Sequence, residues 1–151
     1  KLDKWEKGAN AGTFRGNQLA MAAGTVVMNR VSKPEFLEEV REKGKIIEER
    51  LLALKAKTKI IGDVRAKGLM IGTEFVNPKG QPDGIGSLPT SGEIAAKVQK
   101  ICFENGFVAE KGGRGGSVMR CLCALNITKD EINTAMDIFE KVVLQVAKEY
   151  E

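Results

Sequence analysis

Histidine is absent from the chain, and 151 residues contain only three cysteines, one tryptophan and one tyrosine. Without histidine, Ser–His and Cys–His nucleophilic catalysis is excluded, and imidazole-based metal sites go with it. The cysteines, Cys102, Cys121 and Cys123, are sparse and odd in number. That argues against a disulfide scaffold and for a reducing compartment, the cytoplasm. Cys121 and Cys123 stand two apart and share one face of a strand; with no further ligands beside them they read as small buried apolar residues, and no metal site is expected. Nowhere do 18 apolar residues run together, so no membrane span is expected. Residues 1–7 are charged and carry no signal-peptide stretch. The chain lacks an initiator methionine and opens in mid-pattern, which reads as a fragment. The net charge of +4 comes from cations interleaved with acids along helical patterns, without a basic block. Nucleic acid is therefore not the expected partner.

What is present is an ordinary globular composition, 42% hydrophobic and 29% charged, in a length that supports one domain with a core. The focal stretch is Gly12-Thr13-Phe14-Arg15-Gly16-Asn17. Glycine lets backbone approach a ligand closely, threonine adds a hydroxyl donor, and the helix that follows begins with unpaired N–H groups that favour anions. The stretch suits a phosphate; its plain alternative is a glycine-flanked turn that caps a helix.

Along the chain, the lead-in to Ala11 is polar except for Trp5, which suits an interface. Helical spacing from about Asn17 to Val31 places Asn17 as N-cap. Ser32 and Glu35 make a capping box, with Pro34 in the first turn, for a helix to about Lys57. Its seam is Leu37, Val40, Gly44, Ile47, Leu51 and Leu54, opposite a charged, solvated face. Period-two alternation then predicts two strands within residues 60–76, joined by a tight turn or bulge near Ala66-Lys67-Gly68. Residues 77–89 read as a loop. A second capping box, Thr90 with Glu93, opens a helix to Asn105, with Gly106 behind it. Short strands at residues 107–110 and 117–123 flank a glycine-rich loop. Thr128 and Glu131 cap a last helix that buries Ile132, Ala135, Met136, Phe139, Val142, Val143 and Val146. The expected fold class is α+β, a mixed or antiparallel sheet covered by helices.

Arg120 is the second candidate residue. Alternation places it on the face of Val118 and Leu122, where a guanidinium requires a partner. Arginine suits a carboxylate through two parallel N–H bonds. An internal ion pair with Asp or Glu is the alternative. Arg65 reads as structural.

The run Gly12-Thr13-Phe14-Arg15-Gly16-Asn17-Gln18-Leu19-Ala20 resembles the segment after the Schiff-base lysine in class III pyridoxal-phosphate aminotransferases. Its Phe-Arg-Gly-Asn form is most similar to the diaminobutyrate–2-oxoglutarate transaminases. Residues 116–128, from Gly116-Ser117-Val118-Met119-Arg120 to Asn126-Ile127-Thr128, resemble the family's late arginine segment. Here Cys123-Ala124 stand where the family usually has Pro-Pro. Residues 62–74 resemble the first hairpin of the family's C-terminal small domain. The resemblance implies a fold type I small domain at residues 32–151. Residues 17–31 are then a helix linking the domains, and residues 1–16 a lead-in with the phosphate-contacting loop. It implies that Gly12 and Thr13 touch the phosphate of pyridoxal 5'-phosphate in the partner subunit of a homodimer or higher oligomer. It implies that Arg120 grips the α-carboxylate of glutamate or 2-oxoglutarate, so that the partners are a small amino acid and a 2-oxo acid. The implied activity moves the terminal amino group of 2,4-diaminobutyrate to 2-oxoglutarate. A 4-aminobutyrate or ornithine aminotransferase is the alternative within the class, and a non-catalytic α+β interaction module the alternative outside it. The family's Schiff-base lysine lies upstream of Gly12, where Lys1, Lys4 and Lys7 stand too close to Thr13 to match. The 151-residue chain alone is therefore expected neither to hold the cofactor tightly nor to turn over.

Overall fold

The computed structural model describes residues 4, 6, 8, 9 and 11–151; Trp5 and the lysines Lys1 and Lys7 lie outside the described residues. The chain packs as two compact units, residues 1–37 and 38–151.

In the first unit a turn leads into α1 (Gln18–Val31). Asn17 is its N-cap, the side-chain oxygen accepting from the Ala20 N–H at 3.0 Å. No residue of α1 is buried, and Leu19 and Val26 are 83% and 70% exposed. Ser32 does not open the next helix. It closes α1, its N–H donating to the Met28 and Arg30 carbonyls. Helix α2 (Pro34–Lys55) begins one residue later than the capping-box reading requires, because the Lys33 carbonyl accepts the first helical bonds, from Phe36 and Leu37. Pro34 keeps its expected place in the first turn.

The second unit holds the remainder of α2, β1 (Ile61–Lys67), β2 (Met70–Phe75), α3 (Gly92–Glu104), β3 (Glu110–Gly112), β4 (Val118–Leu122) and α4 (Lys129–Tyr150). The strands form one sheet in the order β1-β2-β4-β3, antiparallel throughout. The fold class is α+β, as the alternation of periods predicts. Gly68, with φ +57°, opens a two-residue hairpin loop in which Lys67 pairs with Met70. The bulge lies at the other end of the hairpin, between Ile61 and Asp63.

Period-two alternation sends Ile71, Thr73, Phe75 and Met119 to the helical side, where all four are buried. There they join Ile47, Leu51 and Leu54 of α2, Ile94 and Val98 of α3, and Ile132, Phe139 and Val143 of α4. Phe139 meets Phe75 and Phe107 edge-on, with centroids 6.5 and 6.1 Å apart. Leu37 departs from the seam and is 41% exposed. Gly44 stays on it, packed against the backbone of Gly68. Lys43 sits among charged neighbours in sequence yet is buried, its ammonium paired with Glu39. Arg50 ties α2 to α4, donating to Glu140 and Asp137 at 2.6 Å each; those two carboxylates hold its pKa above the ordinary arginine value.

Two boundaries move for a physical reason. The extended pairing runs past Thr90, which bridges Val76, to Ser91, whose N–H donates to the Phe75 carbonyl; Ser91 is therefore the last extended residue and caps α3, accepting from the Ile94 N–H at 3.2 Å. Glu93 accepts from the Tyr150 hydroxyl instead of capping. Strand β3 lies at residues 110–112, not 107–110. Phe107 is still closing α3, donating to the Cys102 carbonyl, and the Ala109 carbonyl is taken by the Gln99 side chain. The Thr128–Glu131 box forms in full.

Candidate functional site

Arg120 lies in the middle of β4, an interior strand, opposite Gly72 of β2 on one side and Glu110 of β3 on the other. Its face of the sheet is opposite the one that buries Ile71, Thr73, Phe75 and Met119: Met70 and Leu122 there are 61% and 57% exposed, while Val118 is buried. Directly opposite side chains on an antiparallel pair interact, and Glu110 accepts from Arg120 Nη2 at 2.7 Å. The internal ion pair that stood as the alternative to substrate recognition therefore forms, with Glu110 as its acid. Both side chains are well exposed, 41% and 63%, so the pair itself is worth at most about 1 kcal/mol. Arg120 Nε is buried with no hydrogen-bond partner.

The neighbouring arginine is disposed differently. Arg65 donates to Asp63 at 2.6 Å and to Glu74 at 2.8 Å. Glu74 first, then Asp63, raises its pKa. Two carboxylates already satisfy that guanidinium, which fits its structural reading. Arg120 has one carboxylate against five N–H donors. It borders two open depressions, one of about 390 Å3 beside Met70, Gly72 and Leu122, the other of about 450 Å3 beside Val108 and Glu110. A second carboxylate has room to reach it from the open side of the sheet.

Gly12 and Thr13 belong to the first unit and are exposed. The Gly12 carbonyl accepts from the Arg15 N–H at 3.1 Å, closing a turn. The Arg15 side chain folds back so closely that a Cβ on Gly12 would meet its Nε at 3.0 Å. The Gly12 backbone and the Arg15 side chain thus lie together ahead of the N-terminus of α1, where N–H groups and a guanidinium are donors of the kind a phosphate takes. Among the described residues, no group of three or more His, Cys, Asp or Glu side chains could hold a metal ion, and no helix is long and apolar enough to cross a membrane.

Glu110 and Gly112 were not among the residues singled out from sequence. The signal that finds them is hairpin register: Gly112 pairs with Val118, so counting outward by two brings Glu110 opposite Arg120.

Cys102 and Cys121 are not poised for reaction. Burial pushes Cys102 up to about 11. Burial, with the adjacent Cys123 thiol, pushes Cys121 up to about 12. A thiol whose folded pKa is raised stabilises the fold fully below its unfolded pKa, near 9, and loses that contribution as pH rises toward the folded value. Stability is expected to fall between pH 9 and 11, with Cys102 alone accounting for about 2–3 kcal/mol. Urea unfolding at stepped pH measures this; a Cys102→Ala chain shows a shallower decline.

The sequence profile of the family described as Aminotransferase class-III matches residues 2–143. Two curated relatives are diaminobutyrate–2-oxoglutarate aminotransferases. That of Haemophilus influenzae is 37% identical over 148 residues, 98% of this chain and 33% of the relative. That of Rhizobium meliloti is 45% identical over 132 residues, 87% and 28% respectively. The solved structure of N-acetylornithine aminotransferase from Stenotrophomonas maltophilia superposes with a TM-score of 0.72 at 19% identity, over 89% of this chain and 33% of that one. The chain thus spans about a third of the length of the curated relatives it matches.

Proposed function

The chain belongs to the class-III aminotransferase family, and from that membership we propose that its full-length protein transfers the terminal amino group of 2,4-diaminobutyrate to 2-oxoglutarate. The amine in this reading rests on the diaminobutyrate relatives at 37% and 45% identity; the observation that carries its 2-oxoglutarate half is Arg120, a half-exposed guanidinium holding one carboxylate and able to take another. Both directions of the reaction require recognition of the same dicarboxylate, glutamate or 2-oxoglutarate, and a planar guanidinium recognises a carboxylate by two parallel N–H bonds.

In this reading Arg120 fixes the α-carboxylate of the dicarboxylate and so orients the carbon at which the amino group arrives or leaves. Interior strand β4 holds its backbone on both sides. Pyridoxal 5'-phosphate, when bound, supplies the electron sink for amino-group transfer. The Thr13 hydroxyl and the Gly12 backbone hold its phosphate, in the partner subunit of a homodimer or larger assembly. Residues 1–16 are then the lead-in with the phosphate contact, 17–31 the linking helix and 32–151 the small domain. The free thiols Cys102, Cys121 and Cys123 support a cytoplasmic setting.

The test is a comparison of initial rates of the full-length protein with 2,4-diaminobutyrate, 4-aminobutyrate and ornithine, 2-oxoglutarate being the acceptor. The expected kcat/KM for diaminobutyrate exceeds the others by at least about tenfold. A preference for either other amine transfers the assignment to that substrate, and no transfer with any of them overturns it.

A further inference from the structure

Where Arg120 places its guanidinium depends on a residue that makes no hydrogen bond to it. Gly112 lies diagonal to Arg120 on β3, two residues beyond Glu110. A Cβ built on Gly112 would stand 3.0 Å from both Cζ and Nε of Arg120 and 3.1 Å from Nη2. The guanidinium thus occupies space beside Gly112 that the Cβ of any other residue would crowd. Its Nε is buried there without a partner, although polar groups are ordinarily paired when buried. The glycine is not explained by backbone conformation. Its φ lies outside the left-handed region, whereas Gly113, Gly115 and Gly116 have φ of +72°, +62° and +68°. Alanine could adopt the Gly112 backbone without strain, so what the glycine provides is space beside Arg120.

We infer that Gly112 is a positioning residue for carboxylate recognition: the missing Cβ seats the Arg120 guanidinium against β3, with Glu110 opposite on Nη2. The inference rests on the reading of Arg120 as the substrate-carboxylate group. A side chain at position 112 moves the guanidinium by a few tenths of an ångström or more, and misplacement on this scale weakens a two-bond contact that depends on alignment.

The experiment compares Gly112→Ala, Gly112→Val and Arg120→Ala in the full-length protein, with steady-state kinetics, calorimetric affinity for glutarate as an unreactive dicarboxylate, and Tm. Gly112→Ala is expected to raise KM for 2-oxoglutarate and Kd for glutarate about three- to tenfold. Gly112→Val raises them further, while KM for the amine donor and Tm hold. If Arg120→Ala weakens glutarate but both Gly112 variants bind it as tightly as the parent, the inference is overturned and the Arg120 reading stands. A fall in Tm with unchanged glutarate affinity also overturns it, since a purely structural glycine behaves that way. If Arg120→Ala leaves glutarate affinity and KM unchanged, the reading of Arg120 fails and the inference with it.

Discussion

Arg120→Ala is expected to lower kcat/KM for 2-oxoglutarate in the full-length protein by about a hundred- to a thousandfold. Once bound substrate covers the guanidinium in the full-length protein, removing one partner of such a hydrogen-bonded charge pair costs about 3–4 kcal/mol, and each 1.4 kcal/mol is a factor of ten. The same substitution is expected to leave Tm almost unchanged. The pair it breaks with Glu110 is exposed on both sides and contributes little. Against that small loss stands a gain, since the buried and unpartnered Nε disappears as well. Loss of function without loss of fold distinguishes a recognition residue from a structural ion pair. Arg120→Lys keeps the charge but not the planar fork, and an intermediate rate is expected. Steady-state kinetics beside thermal unfolding decides it; a large fall in Tm with an unaltered kcat/KM would assign Arg120 to the fold alone.

The largest structural effect is expected at Gly44→Ala. Helix propensity alone favours alanine, by about 1 kcal/mol at a mid-helix position. Packing opposes it: a Cβ on Gly44 would stand 2.2 Å from the Gly68 carbonyl oxygen and 2.5 Å from its carbon. These are backbone atoms of the β1–β2 turn, so no rotamer change relieves the contact. Either α2 lifts from the hairpin, uncovering Ile47 and Leu51, or the turn is forced open. The expected cost is about 3 kcal/mol or more, near the upper end for overpacking, and a Tm lower by about 10 °C. Gly24, in α1, has nothing within 4 Å of a built Cβ. Gly24→Ala is therefore expected to be neutral or stabilising by up to about 1 kcal/mol. Denaturant titration of both variants separates propensity from packing.

Element order and type were readable because apolar periodicity is strong in this chain. Ile71, Thr73 and Phe75 could lie only on one face of a strand, and Ile132, Met136, Phe139 and Val143 only on one stripe of a helix. Boundaries were less readable where two residues compete for one role. Thr90 and Ser91 both carry hydroxyls ahead of α3. The choice fell to Ser91 because its N–H bond to the Phe75 carbonyl keeps it extended, so the helix starts one residue later than a Thr90 cap requires. The same holds for Ser32, which closes one helix where a motif alone has it open another. Lys43 stands three residues after Val40 and four before Ile47, on the flank of the α2 seam, and is buried there with its ammonium paired to Glu39. For the site, Arg120 was readable as a cation on a half-apolar strand that needed an acidic partner. Which acid it is, and the glycine beneath the guanidinium, depend on register across the loop at residues 113–117. Periodicity within a single strand carries no information about that register.

The interior position of β4 has a consequence for motion. A terminal strand can peel away residue by residue, but β4 is bonded along both flanks, to β2 and to β3. Its main chain is released only when a neighbouring strand opens with it, an event that belongs to cooperative sub-global unfolding and not to fraying. The side chain that would meet the dicarboxylate can therefore adjust through its own torsions while its Cα stays put. On the proposed reading of Arg120, selectivity at this position would rest on side-chain rotation over a held main chain, which a peptide copy of β4 alone would not reproduce.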